Sequence, residues 1–327
     1  MHRQRDFLLL ATLAATAATP ALGQDAAPAV GAASTAPQST ASAPDLSRLW
    51  ANTLGPGLPQ PASGPGPVRN KARQRQAVDI YGKDINPANA PIVAMVGRRV
   101  GDYTAPILQP WAAQVVKEHA DKELNAGPAP NPINQCRPGG MPFVLYNYGM
   151  EMIQKRDSIT FLYVFDHEVR HVRLNQSHPA NVTPSWYGDS VGHYEGDTLV
   201  IDTVGIKIGP FAMVDMYGTP HSPALHVVER YRLLDYEAAK IAEERGQREL
   251  SRFGRDPGLA RNPDYKGRGL QLDFTVEDEG VFTTPWSASI SYRRPLGQWP
   301  EMVCAENTDD HFAGHRAEVP TTAKPDF

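Results

Sequence analysis

The chain has 327 residues and 32 basic against 36 acidic side chains, a net charge of −4 with no basic excess, so nucleic acid is not the expected partner. Hydrophobic residues make up 41%, enough for a real core, while 30 prolines and 27 glycines favour loops over long helices. Length alone allows one domain or two.

The chain opens like an export signal. Arg3 and Arg5 precede an apolar run over residues 7–19, and Ala21-Leu-Gly23 supplies small residues where a signal peptidase would cut, so residues 1–23 read as a signal peptide. The mature protein is then expected in the periplasm or outside the cell. The apolar run is shorter than the ~20 residues of a spanning helix, and no later segment is longer, so no membrane span is expected. Residues 24–66 are rich in Ala, Pro, Ser, Thr and Gly. Such a composition buries too little surface to offset the entropy of ordering, which predicts a disordered tether.

Residues 67–135 read as an arm followed by a helix. Arg69, Lys71, Arg73 and Arg75 form a solvated basic stretch. Over residues 110–124 the spacing predicts a helix, with Pro110 in its first turn and Trp111, Val115, His119 and Leu124 recurring at roughly helical intervals. It is expected to lie against the outside or one end of a β domain.

That domain spans residues 136–315, before a tail at 316–327. Strand patterns cover residues 150–154, 159–165, 169–174, 198–204, 225–234, 270–276, 287–293 and 301–304. Phe161 and Tyr163 share one face of their strand. Val169, His171 and Arg173 share a face of the next, and Val227, Glu229, Tyr231 and Leu233 share a face further on. Around residues 188–197, the glycines 188, 192 and 196 with Asp189 and Asp197 read as turn chemistry. Residues 235–269 contain a charged, Ala-containing run that predicts a helical insertion. About eight strands in sequence, joined mostly by short turns, predict a mainly β fold: an antiparallel up-and-down barrel, calycin- or lipocalin-like, with flanking helices. A β-sandwich fits the same pattern.

Cys136 and Cys304 are the only cysteines, and they bracket this domain. In an oxidising compartment they are expected to form a disulfide. Gly188-Asp-Ser-Val-Gly192 matches the nucleophile elbow of α/β-hydrolases, but it runs into a strand where that motif needs a helix, so a Gly-rich turn is the expectation. The histidines lack zinc-ligand spacing, and neither metal nor organic cofactor is expected. Glu229 shares an apolar strand face, so it needs a partner such as Arg173, His171 or Tyr163, or else takes a raised pKa suited to acid–base chemistry. The candidate catalytic residues are Glu229, His221, His226, His178 and Asp189. Tyr163, His171, Trp186 and Tyr231 are the candidate ligand-binding residues.

Four segments carry a family resemblance: Cys136-Arg-Pro-Gly-Gly-Met-Pro142, the stretch from Trp186 through Glu195-Gly-Asp-Thr-Leu-Val200 to Thr203, His221 to Tyr231, and Glu301 to Asn307. Together they resemble a widespread family of exported bacterial proteins without assigned function. The resemblance implies a secreted β-rich domain. The chain departs from it by the insertion at 235–269, and by Ala305 where relatives often have a histidine.

The leading functional expectation is a small apolar or amphipathic ligand held inside the barrel, with residues 178–196 and 209–226 rimming its mouth. The alternatives are an acid–base isomerase, lyase or hydrolase, and an envelope interaction module.

Overall fold

In the computed structural model the described residues are 43–52, 61, 63–71, 99–126, 128–146, 149–164, 168–250 and 264–295; of 246–250 only the backbone is described. The export signal, the expected strand at 301–304, Cys304 and the C-terminal tail lie outside them. Nine strands are described: β1 (Arg48–Asn52), β2 (Gly149–Gln154), β3 (Ser158–Tyr163), β4 (Val169–Leu174), β5 (Asp189–Glu195), β6 (Thr198–Val204), β7 (His226–Leu234), β8 (Gly269–Glu277) and β9 (Trp286–Arg293). They pair in chain order and close into a barrel when β9 returns to β1. The fold is therefore mainly β, a barrel with flanking helices, and closure leaves no sheet edge to aggregate.

One pair departs from the antiparallel expectation. β4 and β5 run parallel, with Val172 opposite Ser190 and Leu174 opposite Gly192. A tight hairpin cannot join parallel neighbours, so residues 175–188 form a longer connection. It runs beside the end of β6, where Ser185 N–H donates to Gly205 O at 3.1 Å and Lys207 N–H donates to Ser185 O at 2.8 Å.

The strand that completes the barrel, β1, lies inside the stretch expected to be a disordered tether. Averaged over 24–66 the composition is poor in core formers, but Leu46, Leu49 and Trp50 are clustered, and Leu46 and Trp50 are fully buried. The Trp50 indole N–H donates to Leu46 O at 3.0 Å, so the one large side chain in the region enters the core with its polar atom satisfied. Most of the turn stretch expected at 188–197 is likewise a strand. β5 pairs with β6 from Asp189 opposite Val204 to Glu195 opposite Thr198, leaving only Gly196 and Asp197 as the hairpin turn. Gly192 serves packing there: a Cβ would sit 3.1 Å from both Val172 Cγ1 and Val200 O.

Helix α1 (Pro110–Asn125) forms as predicted, but it turns a different face inward. Ala112, Val116, His119, Ala120 and Glu123 are buried, whereas Trp111 and Leu124 are exposed. Trp111 is held at the surface because its indole N–H donates to Gly280 O at 2.7 Å, which ties the start of α1 to the β8–β9 turn. Helix α2 (Tyr236–Leu250) is the expected insertion and lies on the wall formed by β7, β8 and β9. The approach is close at Gly269, where a Cβ would come within 2.5 Å of the Ala239 methyl carbon.

Candidate functional site

Most of the expected site residues fall into two places, the barrel interior and the outer wall, and each joins several of them; a third place holds none. The first is the barrel interior. Register puts Arg170 opposite Phe161 and Glu229 opposite Phe274. Arg170 reaches Glu229 through paired hydrogen bonds, Nη1 to Oε2 at 3.0 Å and Nη2 to Oε1 at 2.7 Å. With β5 and β6 between their strands, the pair spans the lumen. The Tyr231 hydroxyl donates to Glu229 Oε2 at 2.8 Å, while Arg170 also donates to Ser190 Oγ at 3.0 Å and Thr203 Oγ1 at 2.6 Å. Burial opposes the guanidinium's charge most strongly, but the Glu229 carboxylate together with Tyr163 and Tyr231 outweighs it and the Arg170 pKa is raised. Burial pushes the Tyr163 hydroxyl up to about 12.

This corrects the expected partner of Glu229. It is Arg170; Arg173 and His171 point out of the barrel, because β4 turns Arg170, Val172 and Leu174 inward. His171 is exposed, with Nδ1 3.0 Å from Thr160 Oγ1 on the neighbouring strand, and it takes no part in a ligand site inside the barrel. The signal was present: residues 170, 172 and 174 hold two apolar side chains, against one at 169, 171 and 173. Ser190, the serine of the elbow-like motif, is buried on Arg170 and Thr203 and is paired within β5 rather than lifted on a turn, so it is not poised as a nucleophile.

The second place is the outer wall, where His178, Asp189 and His226 do come together through Asp202. Arg173 donates to Asp189 at 2.7 and 2.9 Å, and His178 Nδ1 lies 2.6 Å from Asp189 Oδ1. His178 Nε2 and His226 Nε2 each lie 3.1 Å from Asp202 Oδ1, and His226 Nδ1 lies 3.2 Å from Glu277 Oε2. Hydrogen bonds from Arg173 hold the Asp189 carboxyl below the usual range, and one from His226 does the same for Asp202. The bond to Asp202 in turn raises the His226 pKa. His221 stands apart, buried, with its pKa lowered by burial and Nδ1 3.2 Å from Ser222 O. Trp186 is half-buried, with the Lys207 ammonium 5.4 Å from its ring centre.

The third place was not anticipated. A cleft of about 220 Å³ opens between α1 and the 211–220 segment, lined by Val115, His119, Lys122, Phe211 and Met213 among others. His119 is 9% exposed, and neither ring nitrogen has a partner within hydrogen-bond geometry. Burial, then the charges of Arg99 and Lys122, push its pKa down to about 4, and the Pro130 carbonyl opposes that shift least. The imidazole is therefore neutral near pH 7, with one donor and one acceptor to offer. Behind it, Asp215 organises the turn by accepting from Tyr217 N at 2.8 Å, Thr219 N at 3.3 Å and Thr219 Oγ1 at 2.7 Å.

Comparison with protein-family models, curated proteins and solved structures finds no match to this chain. Its site must be read from its own geometry. Cys136 is not a free thiol. Among the described residues no cluster of His, Cys, Asp or Glu could hold a metal ion, and no helix is long and apolar enough to cross a membrane.

Proposed function

We propose that this chain is an exported β-barrel protein that binds a small amphipathic molecule on the barrel's flank, in the cleft between α1 and residues 211–220. The carrying observation is His119, a buried imidazole lining an otherwise largely apolar cleft, with neither ring nitrogen in full hydrogen-bond geometry and the Pro130 carbonyl its nearest polar neighbour. A buried polar group without a partner costs roughly 1–3 kcal/mol, so a ligand that satisfies it gains that term on binding. The lumen is a poorer candidate, because at the level of Arg170 and Glu229 it is filled by their side chains and by Phe161, Tyr163 and Tyr231. The basic–apolar–small leader supports export, and the Trp186 to Thr203 motif supports membership in the exported family it resembles. A bridge from Cys136 to Cys304 belongs to the same reading.

Native mass spectrometry on protein exported to a periplasm and purified gently tests it. The expected result is an organic adduct that denaturation releases. A bare chain that no member of a broad small-molecule panel stabilises against heat would count against binding.

A second reading, an acid–base enzyme, is favoured by the run from Arg173 through Asp189, His178 and Asp202 to His226. It is the weaker one because Asp202 is 42% exposed, so water competes for any proton passed along that wall.

A further inference from the structure

We infer that the cleft takes a small organic monoanion: a carboxylate on an apolar body about the size of one ring, with His119 donating to the carboxylate and Lys122 pairing its charge at the rim. This rests on the binding reading above and names the ligand class for that site.

Size and wall chemistry set the body. Val115, Pro130, Phe211, Met213 and Pro220 give the cleft apolar walls around a volume of about 220 Å³. An apolar cavity of roughly 150 Å³ accommodates benzene, so this volume admits a ring and a small head group.

The balance of charge sets the head. The charged groups acting on the His119 imidazole are Arg99 and Lys122, both cationic. Lys122 lines the cleft and makes no ion pair among the described residues. Of the two nearby acids on α1, Glu118 lines the cleft at its exposed rim and Glu123 is taken up by backbone donors. Glu118 Oε1 accepts from Gln114 Nε2 at 3.0 Å, and Glu123 accepts from the backbone N–H of Ala129 at 2.9 Å and of Arg99 at 3.4 Å. A neutral imidazole still has an N–H to donate, and a charge-assisted bond to a carboxylate is about twice as strong as a neutral one.

Gly218 packs its backbone directly against the His119 ring. Its φ of +77° suits glycine, and a Cβ there would come within 2.5 Å of His119 Cδ2. Only a residue without a side chain lets the turn lie this close to the ring.

Benzoate is the probe, with benzamide as its uncharged counterpart, on the full-length chain at pH 7. The readout is the His119 ring signal in a proton–carbon correlation spectrum, identified by its loss in His119→Gln. Benzoate should shift that signal saturably and leave His171, on the outer wall, unmoved. Benzamide should bind at least about tenfold more weakly, and Lys122→Met, at an exposed position, should weaken benzoate by about tenfold. Gly218→Ala should abolish the shift. Because a bound anion favours the imidazolium, benzoate should also raise the His119 pKa. Equal binding of benzamide and benzoate would overturn the assignment. So would an unmoved His119 signal in protein that still carries a periplasmic organic adduct, and that result would leave the binding reading intact. An unmoved signal with no adduct overturns both.

Discussion

Arg170 and Glu229 meet across the barrel with side chains 1% and 0% exposed, joined by two hydrogen bonds and ringed by hydroxyls. Burying such a pair costs desolvation on both sides, so its value depends on every bond being made. Glu229→Gln should lower stability by roughly 3–5 kcal/mol, because it leaves the guanidinium buried without its counter-charge. The double substitution Arg170→Met with Glu229→Leu should lose much less than the sum of the singles, since Ser190 and Thr203 already pair at 3.1 Å and can satisfy each other. Urea unfolding of the four proteins measures this; additive losses would show that the two side chains act independently.

Closure of the barrel depends on β1. Trp50→Ala removes a fully buried indole from the strand that pairs with both β2 and β9, and it should cost about 3–5 kcal/mol. Thermal unfolding reads it directly. A loss below about 1 kcal/mol would mean the barrel does not need this strand.

Asp202 and His226 give the outer wall a pH dependence. His226 has a folded pKa raised above 6.5, so its contribution is present below that value and lost as pH rises through the folded pKa. Asp202 has a folded pKa lowered below 3.8, so its contribution is present above 3.8 and lost as pH falls through the lowered value. The pair is therefore most stabilising between these limits and weakens above neutrality. Both groups are partly exposed, which holds the effect to about 1 kcal/mol or less. Denaturation midpoints from pH 5 to 9 should decline more in the wild type than in Asp202→Asn.

Asp215 acts in the sense opposite to Asp202 and the same as His226. Burial raises its pKa from 3.8 to about 6, outweighing the hydrogen bonds from Thr219 and Tyr217. The folded state thus holds the proton more tightly than the unfolded chain, and stability declines as pH rises from 3.8 through about 6. Asp215→Asn should flatten that stretch of the profile. If the wild type shows no decline there, the carboxyl is ionised and held by its three donors.

The division between legible and hidden features follows from the range of the interactions involved. Alternation of inward and outward residues is a local property, so strands such as Val227–Tyr231 on β7, the two helices and their chain order could be read directly from the sequence. Composition is local too, yet it misplaced β1, because a tether averaged over 43 residues hid one leucine–tryptophan cluster. The phase of β4, an arginine strand facing the core, was decided by Glu229 lying 59 residues away. The apolar count along β4 favours this phase only by Val172 and Leu174 against Val169, and the counter-charge on β7 is what makes a buried arginine stable there. The cleft is the extreme case. His119 lies on a helix, and the glycine that presses on its ring is Gly218 on a distant turn. Residue periodicity specified which side chains faced a core; only the closed barrel specified which of them met.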